Sequence, residues 1–180
     1  YSVAVNVAVS DYIKSSNTTA YQGFGRSIAL SGDTLAVGAP PQSSSAIAAG
    51  TAVSIYRRNA GVWSQEAQIK PANTTDYSFG SSVALNGDTL VVGCPNESTD
   101  ATGINPSAVN DNASVSGAVY IFRRTGMIWA QEAFIKASNN RAEARFGTSV
   151  AFSSETLVVG APGESGKATG VNGDQSAPPF

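Results

Sequence analysis

The chain has 180 residues, of which 42% are hydrophobic and 13% charged, with 18 Gly and 8 Pro; this is the composition of a folded protein made of short elements joined by turns. A net charge of −2 gives no reason to expect nucleic acid or an anionic membrane as partner, and no apolar run is long enough for membrane insertion. The lack of any histidine removes the commonest general base, zinc ligand and pH switch, and one cysteine, Cys94, excludes an internal disulfide.

From the N terminus, Tyr1, Val3, Val5, Val7 and Val9 alternate with smaller or polar residues, the period of a strand. A block then runs from Phe24-Gly25 to Ala39-Pro40. It recurs from Phe79-Gly80 to Cys94-Pro95 and from Phe146-Gly147 to Ala161-Pro162, with the same Phe-to-Pro step each time. Within each block two short apolar runs flank a turn, Ser31-Gly32, Asn86-Gly87 or Ser153-Ser154. Asn-Gly supplies the positive φ angles of a tight hairpin. The continuous apolar character predicts burial of both strands on both faces.

A second block follows, Gly50 to Arg58 and then Trp63 to Lys70. It is repeated as Gly117 to Arg124 and Trp129 to Lys136. Its first half is β-branched and aromatic, a third strand. Its second half alternates, with Ser64, Glu66, Gln68 and Lys70 on one face, which suits a protected outer edge. All the length variation between repeats falls between the Pro and the next Gly, so residues 96–116 form a long surface loop.

Four antiparallel strands per repeat, recurring in register, predict an all-β chain of β-propeller blades. The pattern F-G-x-S-[IV]-A-[LF] followed by [LV]-[AV]-V-G-[AC]-P resembles the FG-GAP repeat, the blade of integrin alpha-subunit propellers and of many secreted or surface proteins of microbes. The G-A-V-Y-I-F-R-R and W-x-Q-E-A-x-I-K blocks are similar to the microbial branch. The resemblance implies a ring, commonly of seven blades, acting outside the cell in adhesion or ligand binding. It also brings a calcium loop between the first two strands of the integrin type. Here that connection holds one carboxylate, Asp33, Asp88 or Glu155, too few for calcium. No cofactor, metal or catalytic residue is expected, and the turn aspartates are read as turn chemistry.

Register sets the expected divisions of a single repeat domain. Residues 1–23 hold the last strand of a preceding blade (7–14) and a linker, 24–78 and 79–145 are blades, and 146–180 holds two strands of a further blade plus loop. An incomplete ring of about three blades leaves three completions: more of a longer propeller, several chains in one ring, or head-to-tail joining by strand complementation. The alternating strand of Tyr1, Val3, Val5, Val7 and Val9 is the assembly candidate.

Four sequons mark Asn17, Asn73, Asn96 and Asn112 as glycosylation candidates. Cys94 replaces Ala39 and Ala161 and reads as a small buried hydrophobe. Arg57-Arg58 and Arg123-Arg124 read as turn charges that pair with Glu66 and Glu132, and Trp63 and Trp129 as rings packed between blades. The leading expectation is an extracellular structural or adhesive module, self-assembling with copies of itself. The alternative is a fragment of a larger receptor that binds a protein or glycan. With no acid–base pair in sight, an enzyme ranks third.

Overall fold

A computed structural model describes residues 11–16, 22–41, 52–72, 78–107, 110–167 and 169–175. The assembly candidates Tyr1 to Val9 and the sequons at Asn17 and Asn73 lie outside them. All regular structure among the described residues is β.

The first blade is a meander of β1 (Ser27–Ser31), β2 (Thr34–Ala39), β3 (Ala52–Asn59) and β4 (Val62–Ile69), hydrogen-bonded in that order. The second has β5 (Ser82–Asn86), β6 (Thr89–Cys94), β8 (Ala118–Thr125) and β9 (Ile128–Lys136), with β7 (Gly103–Ile104) added outside β9. A third sheet holds β10 (Ser149–Ser153) and β11 (Thr156–Gly160). Two blades and half of another form an open, incomplete propeller.

The repeats agree down to irregularities. Ser27 faces Gly38, Ser82 faces Gly93, and Ser149 faces Gly160. The third and fourth strands carry a bulge at the same place, Ile55/Tyr56 and Ile121/Phe122. Gly32, Gly87 and Ser154 hold the first turn position at φ +55°, +57° and +55°. Asn86 itself closes β5 opposite Thr89, so the left-handed residue of that turn is Gly87.

Three expectations change. Strands β2 and β6 are buried on both faces as predicted, but β1 and β5 alternate, because their two faces are covered to different extents. The fourth strand is not the outer edge of the second blade, since the long loop returns and pairs Gly103 with Lys136 and Ile104 with Ile135. Residues 11–16 carry no strand, although 7–14 were expected to form one; 7–10 lie outside the described residues. The Lys14 carbonyl accepts the Tyr56 hydroxyl at 3.1 Å. Burial pushes that phenol's pKa up.

Alternation sorts each blade into two unlike faces. On the second blade Val83, Leu85, Leu90, Val92, Tyr120 and Phe122 share one face. This bulky face packs on the preceding blade's opposite face, where Ala29, Ala36, Val53 and Ile55 lie. Phe79 sits fully buried beside this layer, edge-on to Tyr120 and Phe122 at 5.3 and 5.9 Å. The core therefore lies between blades, large residues against small ones, which is how close packing is reached without voids.

Candidate functional site

The blade junctions carry the most built chemistry. In each repeat the glycine after Phe has φ between +86° and +90°, at Gly25, Gly80 and Gly147. A residue with Cβ is strained there. Its N–H donates to its own blade's second-strand glycine: Gly25 to Gly38 O (3.1 Å), Gly80 to Gly93 O (3.2 Å), Gly147 to Gly160 O (3.1 Å). At Gly80 and Gly147 its carbonyl turns to the previous blade. Ser27 Oγ donates to Gly80 O at 2.8 Å, and Ser82 Oγ to Gly147 O at 2.8 Å. A Cβ on Gly38 or Gly93 would overlap the same incoming carbonyl oxygen. The serine and glycine facing each other on β1–β2 thus form a slot for the next blade's Phe-Gly carbonyl.

This slot uses the residues that recur in every repeat, F-G-x-S and V-G-[AC]-P. A family profile described as the FG-GAP repeat matches residues 11–56, 63–122 and 129–177. The chain belongs to the FG-GAP repeat family. In FG-GAP terms, the Phe fills the junction, its Gly links two blades, and the second Gly leaves room for that link. Such repeats suggest a propeller module, are typical of extracellular or surface proteins, and are typically non-enzymatic. No curated protein matches the chain at a significant level.

Further out, a polar node joins the two FG-GAP blades. Glu66 on β4 accepts Trp129 Nε1 at 2.9 Å and meets Arg124 Nη1 at 3.4 Å, with Arg124 and Glu66 side chains only 9% and 6% exposed. Arg124 also reaches Thr34 Oγ1 (3.3 Å) and Asp88 (Nε to Oδ1, 2.7 Å), and stacks over Trp129 at 5.3 Å. Trp129 is thereby a junction ring, as expected. The carboxylate pairing differs from expectation. Glu66 serves the other blade's arginine, while Arg58 pairs with Asp33 at 2.7 Å and stacks on Trp63. Of the expected arginine–glutamate pairings, Arg123–Glu132 forms within its own repeat, at 2.8 Å, and it raises the Arg123 pKa. The turn aspartates thus anchor third-strand arginines as well as shaping turns.

The long loop of the second blade is pinned from beneath. Lys136, at the end of β9, donates to Glu97 Oε2 and to Ser116 Oγ (2.8 Å), with the Lys and Glu side chains 0% and 1% exposed. Glu97 Oε1 also accepts the Thr99 amide at 3.0 Å. Ser116 Oγ lies 3.3 and 3.2 Å from the carbonyls of Glu97 and Thr99. Asn140 Nδ2 donates to the carbonyls of Thr99 (2.8 Å) and Ala101 (2.9 Å). Nearer solvent, Asp100 accepts Asn110 Nδ2 (2.7 Å) and Asn112 Nδ2 (3.2 Å), and these bonds lower its pKa.

Of the described sequons, Asn96 is exposed, and Asn112 is exposed with its amide engaged by Asp100. Cys94 is fully buried in the core beside Ser78 Oγ at 3.3 Å. Among the described residues no group of three or more His, Cys, Asp or Glu is placed to hold a metal ion. No helix among them is long and apolar enough to cross a membrane. A cavity of about 510 Å³ opens on the first blade, lined by Tyr12, Lys14, Phe24, Ile28, Leu35 and Val37 among others, without a carboxylate.

The serine–glycine slot and the Glu97–Lys136 pair went unread in the sequence. The first had a signal, since Ser follows Phe-Gly at one spacing in all three repeats. The second had a fainter one: Glu97 and Glu164 each stand two residues after the Pro, and Gln42 stands there in the short loop.

Proposed function

We propose that this chain is an extracellular, non-enzymatic structural or adhesive propeller module that assembles head to tail with copies of itself. The observation that carries the reading is the outer edge of β11. Strands β2 and β6, its counterparts, pair on that side with β3 and β8. Among the described residues no strand pairs with that side of β11. An open edge of this kind accepts an added strand, and the alternating segment Tyr1 to Val9 of a neighbouring copy is the proposed occupant. The polar side chains support a scaffold role, since Glu66, Arg124, Glu97 and Lys136 join blades and loops.

The test is light scattering and negative-stain microscopy of the full chain beside a variant lacking residues 1–9. Large assemblies that shrink on deletion are expected. Monomers in both, with unchanged β-sheet circular dichroism, would sink the proposal.

A second reading has its own observation. The 96–116 loop is held in shape by Asp100, Asn110 and Asn112, the preorganisation a binding surface needs. It makes that loop a protein- or glycan-binding face of a larger receptor. Glycan-array binding by a monomer, lost when the loop is replaced by residues 41–49, would favour it. No cofactor or metal is part of either reading. Glycosylation is proposed at the exposed Asn96 ahead of Asn112.

A further inference from the structure

The sequon at Asn96 is sealed by the fold around it. Asn96 is exposed, but the middle residue of the sequon, Glu97, is 1% exposed and held by Lys136. The hydroxyl of the sequon is engaged on both sides: Ser98 Oγ donates to the Asn96 carbonyl at 3.2 Å and accepts the Val115 amide at 3.2 Å. The Asn96 backbone amide donates to Ser78 Oγ at 2.8 Å. The sequon at Asn112 is stitched to the first. The Ala113 amide donates to the Ser98 carbonyl at 2.9 Å, and Asn112 Nδ2 donates to Asp100 at 3.2 Å. Just beyond it, the carbonyls of Ser114 and Val115 accept the amides of Glu143 and Arg145 at 2.8 and 3.0 Å.

A transferase that reads N-x-S needs the asparagine amide and the hydroxyl two residues on in its own site at once. The folded loop offers the first and withholds the second, and freeing Ser98 means releasing the buried Glu97–Lys136 pair beside it. The closing residues are also made last. Lys136 follows Glu97 by 39 positions, so at ordinary synthesis rates it arrives about 2–8 s after the sequon. We infer that Asn96 and Asn112 accept N-linked glycan only before the 96–116 loop closes, and that the pairing of Glu97 with Lys136 ends the period in which the chain can be modified. The step joins Asn96 Nδ2 to the anomeric carbon of a sugar carried on a lipid pyrophosphate. The carbon–oxygen bond to the pyrophosphate breaks, the lipid pyrophosphate leaves, and one Nδ2 proton goes to solvent. This rests on the glycosylation proposed above and adds its timing.

The experiment compares the full chain with Lys136→Met, which leaves both sequons intact, reading each site by peptide mass. Parent translated behind a secretory leader into microsomes should carry glycan at Asn96. Parent made without glycan, folded, and then given solubilised transferase with a lipid-pyrophosphate oligosaccharide should gain none at either site. Folded Lys136→Met should be modified at Asn96 more than about tenfold faster than folded parent, because its loop opens more often. Circular dichroism must show that the variant keeps its β-sheet; if it does not, the parent's folded and nascent forms decide alone. Folded parent modified as fast as the nascent chain overturns the inference while glycosylation stands. A folded Lys136→Met as refractory as the parent overturns it too, since the pair would not be what closes the loop. A parent modified at neither site in microsomes overturns the glycosylation reading and the inference together.

Discussion

The two complete blades share strand order, register, bulge position and slot, yet they finish their outer edges differently. In the first, Lys70 is exposed just past the end of the fourth strand. In the second, the equivalent Lys136 is fully buried against Glu97 and Ser116, under a loop that also contributes β7. One strand end is thus compatible with water or burial, and the loop decides which. A lysine is buried only where a carboxylate and further hydrogen-bond partners arrive with the loop that covers it.

The largest effect should come from breaking that difference. Glu97→Gln leaves Lys136 buried without its counter-charge and should cost about 3–5 kcal/mol in urea unfolding. Lys70→Met in the first blade should stay within about 0.5 kcal/mol. Glu97→Gln combined with Lys136→Met should recover most of the loss. A Glu97→Gln chain as stable as the parent would mean the loop is not held by this pair.

Next comes what the blades share. Gly38→Ala and Gly93→Ala should each cost about 1–3 kcal/mol, because the added methyl strikes the neighbouring blade's backbone. The two losses should be alike by thermal melting, and a large inequality would show that the slots are not equivalent.

The carboxylates on the fourth strands sharpen the comparison further. Glu66→Gln removes a 6%-exposed charge from Trp129 and Arg124 and should cost about 1–2 kcal/mol. Its counterpart Glu132→Gln breaks an exposed pair and should cost well under 1 kcal/mol. Equal losses would remove the distinction between a junction carboxylate and a surface one.

The smallest effect is on pH. Hydrogen bonds from Asn110 and Asn112 lower the Asp100 pKa, so the bonded form favours the folded loop above the ordinary aspartate pKa. That contribution is lost as pH falls through the lowered value. Amide protection factors at Asp100 and Asn112, referred to the intrinsic exchange rate at each pH, should therefore fall on acidification, with those of the β1–β2 hairpin unaffected over the same range. Protection that is flat with pH would assign the loop's order to the Glu97–Lys136 pair alone.

Much of this was legible in advance because it is local. The Phe-Gly to Pro blocks located the hairpins, alternation located the fourth strands, and the repeat spacing named the blades. The turn placement of Gly32 and Gly87 followed from backbone sterics within a few residues. What failed was non-local. Glu66 was matched to the arginine of its own repeat, since sequence neighbours are all a repeat shows, but its partner is 58 positions away across the junction. The loop's return as β7 depends on how far it travels over a sheet already formed.

By itself, then, the sequence determined the FG-GAP strands, their order within a blade, and the unlike faces that alternation produces. Only the tertiary structure decided which faces meet, which carboxylate serves which arginine, and which lysine is buried. Period-two patterning sets the sides of a strand. Hydrogen-bond partners and charge pairs are settled by distance in space, and that is defined only once blades stack, with the small Ser27–Gly38 slot receiving the Gly80 carbonyl.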